Sequence, residues 1–155
     1  MTPDALVSVV GPTEGEALNL GPTQMRILED GSTTSHRLGI AVVTVPPHTD
    51  GPVQHRHAQH DEGFYVISGT AQFTVGTTKY DAPAGTWVMV PPGVPHTFGN
   101  PGDQPVLILS TFTPDFYIQY FRDLRDLVAS AQKITPEVAA HLMSHYATAP
   151  ATDYE

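Results

Sequence analysis

Residues 51–62 read Gly-Pro-Val-Gln-His-Arg-His-Ala-Gln-His-Asp-Glu, and residues 85–100 read Gly-Thr-Trp-Val-Met-Val-Pro-Pro-Gly-Val-Pro-His-Thr-Phe-Gly-Asn. In an extended strand, residues two apart share a face, so His55 and His57 can aim both rings at one point. Glu62 follows in the same segment, and His96 adds one further imidazole from the second. A lone His-x-His pair is a weak signal, since strand histidines are commonly surface residues. Here a carboxylate, a third His and turn-forming glycines accompany the pair. Imidazoles plus one carboxylate suit a single divalent transition metal: Zn, Fe, Mn, Co, Ni or Cu by donor type.

The two segments resemble the signature of the cupin superfamily. Its second motif, Gly-x5-Pro-x-Gly-x2-His-x3-Asn, is matched at Gly85, Pro91, Gly93, His96 and Asn100. Its first motif is matched at His55, His57, Glu62 and Gly69, while its leading glycine is not, because Gly51 lies too close to His55. The resemblance covers roughly residues 36–112 and implies an all-β double-stranded β-helix, a jelly-roll barrel, with its metal held by His55, His57, Glu62 and His96.

Composition agrees with a β-rich chain. Of 155 residues, 40% are hydrophobic and 15% charged, with 13 Gly and 15 Pro, which favours short strands and tight turns around one core. The formal net charge of −9, with no basic cluster, argues against nucleic acid as a partner. No Lys or Arg precedes Arg26, and the apolar run at residues 5–10 is too short for a signal or membrane segment, so the expected location is cytoplasmic, with no membrane partner. Without Cys, the chain offers no disulfide, thiolate ligand or Cys nucleophile.

Working outward, the spacing predicts one domain: an N-terminal arm at 1–23, a barrel at about 24–112 and a helical segment at 113–147. The arm reads as two short edge strands around Gly11-Pro12 and Gly21-Pro22. Strands are predicted at 24–29, 37–45, 62–68, 71–75, 79–81, 86–90, 95–98 and 106–111, about ten in all, with residues 62–81 forming a meander. Thr113-Pro114-Asp115 predicts a helix over 114–131, with an apolar stripe of Phe116, Tyr120, Leu124 and Leu127 packed outside the barrel or over its mouth. Thr135-Pro136-Glu137 predicts a second helix to about Tyr146, followed by a disordered end. His141 and His145 on that helix lack the Glu of a metalloprotease motif and read as surface residues. His36 and His48 carry no assignment.

His60 lies two residues before Glu62 and can share its inward side. The bland reading is a loop His in solvent; the functional readings are a fourth imidazole ligand competing with Glu62, or a base beside the metal. His60 and Glu62 are therefore expected to divide ligation and proton abstraction. Phe64, Val66, Phe73, Val88, Val90 and Phe98 alternate along strands as core, with some walling a cavity suited to an apolar, aromatic or polyketide ligand.

Beyond the superfamily, the length, residues 55–62 and the helical tail resemble the single-domain cupin polyketide cyclases of the resistomycin-pathway type. That resemblance implies aldol-type cyclisation of a poly-β-ketone, for which redox-inert zinc suffices. It also implies a homodimer paired through the arm. A quercetinase-like cupin dioxygenase is the rival enzyme, and a non-enzymatic small-molecule-binding cupin the third reading.

Overall fold

The alternation along β5 (Asp61–Ser68) sets the architecture, because Glu62, Phe64 and Val66 are buried whereas Tyr65 and Ile67 are exposed. The computed structural model describes residues 7–153. It is β-rich with two C-terminal helices, as a jelly-roll barrel requires. One sheet has six strands in the order β1 (Glu16–Asn19), β2 (Gln24–Glu29), β3 (Gly39–Val45), β10 (Val106–Thr113), β5 and β8 (Trp87–Val90). Facing it, β6 (Thr70–Val75) lies between β7 (Thr78–Pro83) and β9 (Thr97–Gly99), while β4 (His55–His57) pairs with β11 (Thr148–Pro150).

Several expectations change for physical reasons. The meander does not include β5, because Gly69 is a corner between sheets: its φ is +77° and a Cβ there would collide with the Pro105 carbonyl. Only β6 and β7 form a hairpin, turning at Gly76-Thr77. The arm contributes one strand, β1, which joins the chain's own sheet and buries Leu18 completely in the core. Residues 7–10 are not a strand, and the part of that expectation on residues 1–6 lies outside the described residues.

Helix α1 (Tyr117–Ala129) starts three residues later than the Thr-Pro-Asp signal, because β10 stays paired with β5 as far as Thr113. Asp115 instead turns its buried carboxylate to His36 at 3.1 Å, while its carbonyl accepts from the Ile118 amide. The α1 surface is pinned by Arg122, which reaches Glu16 at 2.8 Å and Asp30 at 2.9 Å. Helix α2 (Pro136–Ser144) begins as read, its Thr135 hydroxyl accepting from the Val138 amide. Residues 148–150 are a strand rather than a loose end: after Ala147 takes φ +49°, β11 pairs with the strand that carries two of the histidines, and the part of that expectation on residues 154–155 lies outside the described residues.

Two surfaces result. Inside the barrel Phe64, Phe73 and Phe98 pack with ring centroids 5.1 to 6.1 Å apart as part of the core. On the outside, the register lines up Arg26, Val42, Leu109, Tyr65 and Trp87 in one row across five strands, and Trp87 is 50% exposed. No described helix is long and apolar enough to cross a membrane.

Candidate metal centre

Three backbone arrangements bring the donor side chains together. Strand β4 puts both His55 and His57 on its buried face. His96, just before β9, exchanges two backbone hydrogen bonds with His55, of 3.1 and 2.9 Å, which fixes the two segments face to face. The Pro-Pro-Gly turn closes when the Gly93 amide donates to the His57 carbonyl at 2.7 Å, with Gly93 at φ +86°. Asn100 is a tie rather than a ligand: its buried amide donates to the Val45, Pro46 and Gln104 carbonyls. Gly51, offset in the motif, passes so close to the Phe98 carbonyl that a Cβ would collide with it.

The donor atoms of His55, His57, Glu62 and His96 all lie within 4.8 Å of one another, and all four side chains are buried. A metal with ligand bonds of about 2.0–2.2 Å sets donor separations of at most about 4.4 Å, so small side-chain shifts would complete a site. Hydrogen bonding fixes the tautomers. The Val53 and Val94 carbonyls can only accept, so Nδ1 of His55 and of His96 carries a proton, at 2.8 and 2.9 Å. The Thr148 hydroxyl donates to the Tyr146 carbonyl at 3.0 Å and therefore accepts from His57 Nδ1 at 2.8 Å. Each Nε2 is thereby left for the centre of the site.

Glu62 Oε2 receives two of them, lying 2.7 Å from His57 Nε2 and 3.2 Å from His96 Nε2. Bare imidazole lone pairs would repel a carboxylate at these distances, so the arrangement calls for positive charge, either as protons on the rings or as a metal cation shared by all four groups. The donor set fits the cation. Burial alone would raise the Glu62 carboxyl, but the bonds to His57 and His96 outweigh it and hold the group below the ordinary carboxylate range. Burial lowers His55 to about 4, so its ring is neutral at physiological pH and ready to ligate. For His96, burial lowers the pKa, but the Glu62 bond prevails and raises it.

His60 is 1% exposed, not a loop residue in solvent, and among the described residues neither ring nitrogen has a partner. Its ring packs against His57 at 4.2 Å and Tyr117 at 4.9 Å, with Phe116 and Phe112 behind. Burial holds its pKa down at about 3, a neutral imidazole. His60 stands outside the four-donor group and off the cavity wall.

The centre opens onto a cavity of about 260 Å³ bordered by His55 and Glu62. Of the aromatic and branched residues read from the strands, only Phe98 lines it; Phe64, Val66, Phe73 and Val90 are buried core, with Val88 partly buried against them. The wall comes instead from Leu20, Met25 and Val43 on one side and Tyr117, Leu124 and Met143 of the helices on the other. The helices thus cover the barrel's mouth, and among the described residues no Lys or Arg lines the space. Sequence reasoning missed Tyr117 and Thr148. Tyr117 follows the expected stripe position Phe116 and is almost fully buried, its ring 4.5 Å from that of His57, and burial raises its hydroxyl pKa well above the ordinary value. It stays a proton donor. Periodicity alone held only a hint of it, in Tyr117, Tyr120 and Leu124 at helical spacing.

Exposed His141 of α2 and His145 just after it pair with each other, 4.8 Å between ring centroids, and His48 meets Asp103 at 2.7 Å. Neither reaches the centre.

Comparison with known proteins agrees with this construction. Residues 41–112 match the family described as Cupin domain. An uncharacterized protein of Methanocaldococcus jannaschii is 29% identical over 62 residues, which are 40% of this chain and 50% of that protein. The chain spans about half the length of the curated relatives it matches. Among solved structures, KdgF from Halomonas sp. is similar at TM-score 0.62 and 19% identity, covering 70% of this chain and 94% of that one. The polyketide cyclase RemF from Streptomyces resistomycificus is similar at TM-score 0.62 and 20% identity, covering 70% and 80%. At these identities the likeness is one of fold.

Supplementing the purified protein with zinc should give about one equivalent per chain by elemental analysis. His96→Ala should lose most of it, because removing one of four donors weakens a chelate strongly; wild-type protein holding less than about a tenth of an equivalent would contradict the site.

Proposed function

We propose, on the premise that this chain is a cupin with its cupin domain at residues 41–112, that it is a metal-dependent cyclase acting on an uncharged, carbonyl-rich polyketide. The observation that carries the reading is a four-donor centre opening onto an apolar cavity without a cationic side chain. A sugar phosphate or dicarboxylate would meet no counter-charge there, whereas a folded poly-β-ketone needs only apolar walls and a few polar groups. A bound divalent metal, zinc by preference, would act as Lewis acid on a substrate carbonyl. His55, His57, His96 and Glu62 are the residues that would hold it. We assign this chain to the cytoplasm.

The chain's own groups then divide the proton chemistry. Glu62 belongs with the donors, because its carboxylate is already engaged by two imidazoles. His60 takes the role of base through whichever of its two unpartnered ring nitrogens lacks the proton of the neutral ring, and the opening that admits substrate must also relieve the burial that holds its pKa at about 3. It stands behind Tyr117, so a turn of that ring is needed to expose it to the cavity. Tyr117, kept protonated by burial, donates to the developing enolate oxygen. The C-terminal helices, which wall one side of the cavity, exclude water from the intermediate.

With zinc as the only metal, product should form anaerobically. His60→Ala should lower turnover roughly 10²-fold with metal content near normal, while Glu62→Gln should lose both. A strict need for oxygen would instead favour the dioxygenase. His60→Ala and Glu62→Gln both retaining full metal and activity would defeat the division of roles.

For assembly, the arm is no longer the surface to favour, since β1 completes its own sheet. The homodimer we propose forms through the exposed row around Tyr65 and Trp87, which carries no carboxylate in a chain of net charge −9, so two copies can approach there with least repulsion. Sedimentation should give a two-chain particle that Trp87→Glu converts to single chains; a wild-type single chain at high micromolar concentration would refute it.

A further inference from the structure

Strand β4 has one ladder partner, β11, which comes from near the C-terminus. The register sets Thr148 opposite His57 and Pro150 opposite His55. Backbone bonds close both ends of the pairing: Ala58 donates to the Ala147 carbonyl and Ala151 to the Gln54 carbonyl, each at 2.8 Å. Beyond them Arg56 meets Asp153 at 2.8 Å, and Ala151 is buried. Nothing in the barrel motifs requires this strand.

The three histidines are not held alike. His55 and His96 each find the acceptor for Nδ1 on a backbone carbonyl two residues earlier, so their tautomers are set locally. His57 takes its acceptor from the buried Thr148 hydroxyl, 91 residues further along the chain. That hydroxyl has one proton, committed to the Tyr146 carbonyl, so toward His57 it can only accept. An acceptor at Nδ1 orients the ring and leaves Nε2 unprotonated as the ligand atom. Without it, neutral His57 is free to carry its proton on Nε2, which would have to leave before a metal could bind.

We propose that the C-terminal strand readies His57 for the metal, with Thr148 as a positioning residue, so that metal affinity depends on the docking of residues 147–153. The inference rests on the metal-centre reading above. Its chemistry is a hydrogen bond rather than a ligand: Thr148 touches His57, and His57 touches the ion.

The test is cobalt(II) titration against a competing chelator for wild type, Thr148→Val and Thr148→Ser, with circular dichroism confirming the fold. Valine keeps the shape and removes the acceptor, so affinity should fall roughly 10- to 100-fold, while serine should stay within about threefold of wild type. In zinc-loaded, ¹⁵N-labelled protein the His57 Nδ1–H signal should be protected from solvent exchange in wild type and Thr148→Ser, and lost to exchange in Thr148→Val. Thr148→Val binding within about twofold of wild type would overturn the inference, and so would serine as weak as valine, which would make the strand a packing element only. If Thr148→Val does not fold, the wild-type signal decides: protected, it sustains the hydrogen bond; freely exchanging, it refutes it. Failure of wild type to take up cobalt would refute the metal centre itself, and the inference with it.

Discussion

A carboxylate buried among three imidazoles is the arrangement on which the rest of this structure turns. Removing a charge from water costs several kcal/mol even after relaxation, unless partners in good geometry compensate. Glu62 is 5% exposed and is engaged on one oxygen by both His57 and His96. Those rings face the carboxylate through Nε2 because each Nδ1 has its own acceptor. The site is therefore fixed from behind, and the positive charge its donors call for is one that ring protons or a divalent cation would supply.

Two parts of the chain share the work. The barrel supplies all four donors, and its turns bind them together through the His55 to His96 backbone pair and the Gly93 clip on His57. The C-terminal segment supplies much of what surrounds them: Tyr117 and Met143 on the wall, and Thr148 behind a ligand. Helix α1 is tied to the segment following α2 by the Tyr146 to Asp123 bond and to the arm by Arg122 and Arg125 on Glu16. Ion pairs this exposed add little stability individually, but they hold the cover in register with the mouth. A barrel of common plan thus acquires a particular cavity from residues outside its motif.

The legible parts of the sequence were the local ones. The His-x-His spacing, the turn glycines and the strand alternation are short-range patterns, so the donor set and the β architecture followed from them. What escaped depended on distant partners. Gly69 looked like a hairpin turn, but a strand can also switch sheets at a glycine, and pairing alone distinguishes the two. The last residues looked loose because three residues of Thr-Ala-Pro carry no strand signal until β4 is placed beside them. His60 was recognised as unusual, yet its burial among Phe112, Phe116 and Tyr117 depends on where the helix returns. Strand periodicity likewise separated inside from outside correctly, but could not tell an inward residue that fills core from one that walls the cavity.

The most direct test of the centre is X-ray absorption on the zinc-loaded protein, because imidazole rings leave a distinct multiple-scattering pattern that gives their number at the metal. Three imidazoles with oxygen completing the coordination is the predicted result, with zinc to nitrogen distances of about 2.0–2.1 Å. Four imidazoles would draw His60 into the ligand set and release Glu62, and fewer than three would remove the centre altogether; either would contradict the account.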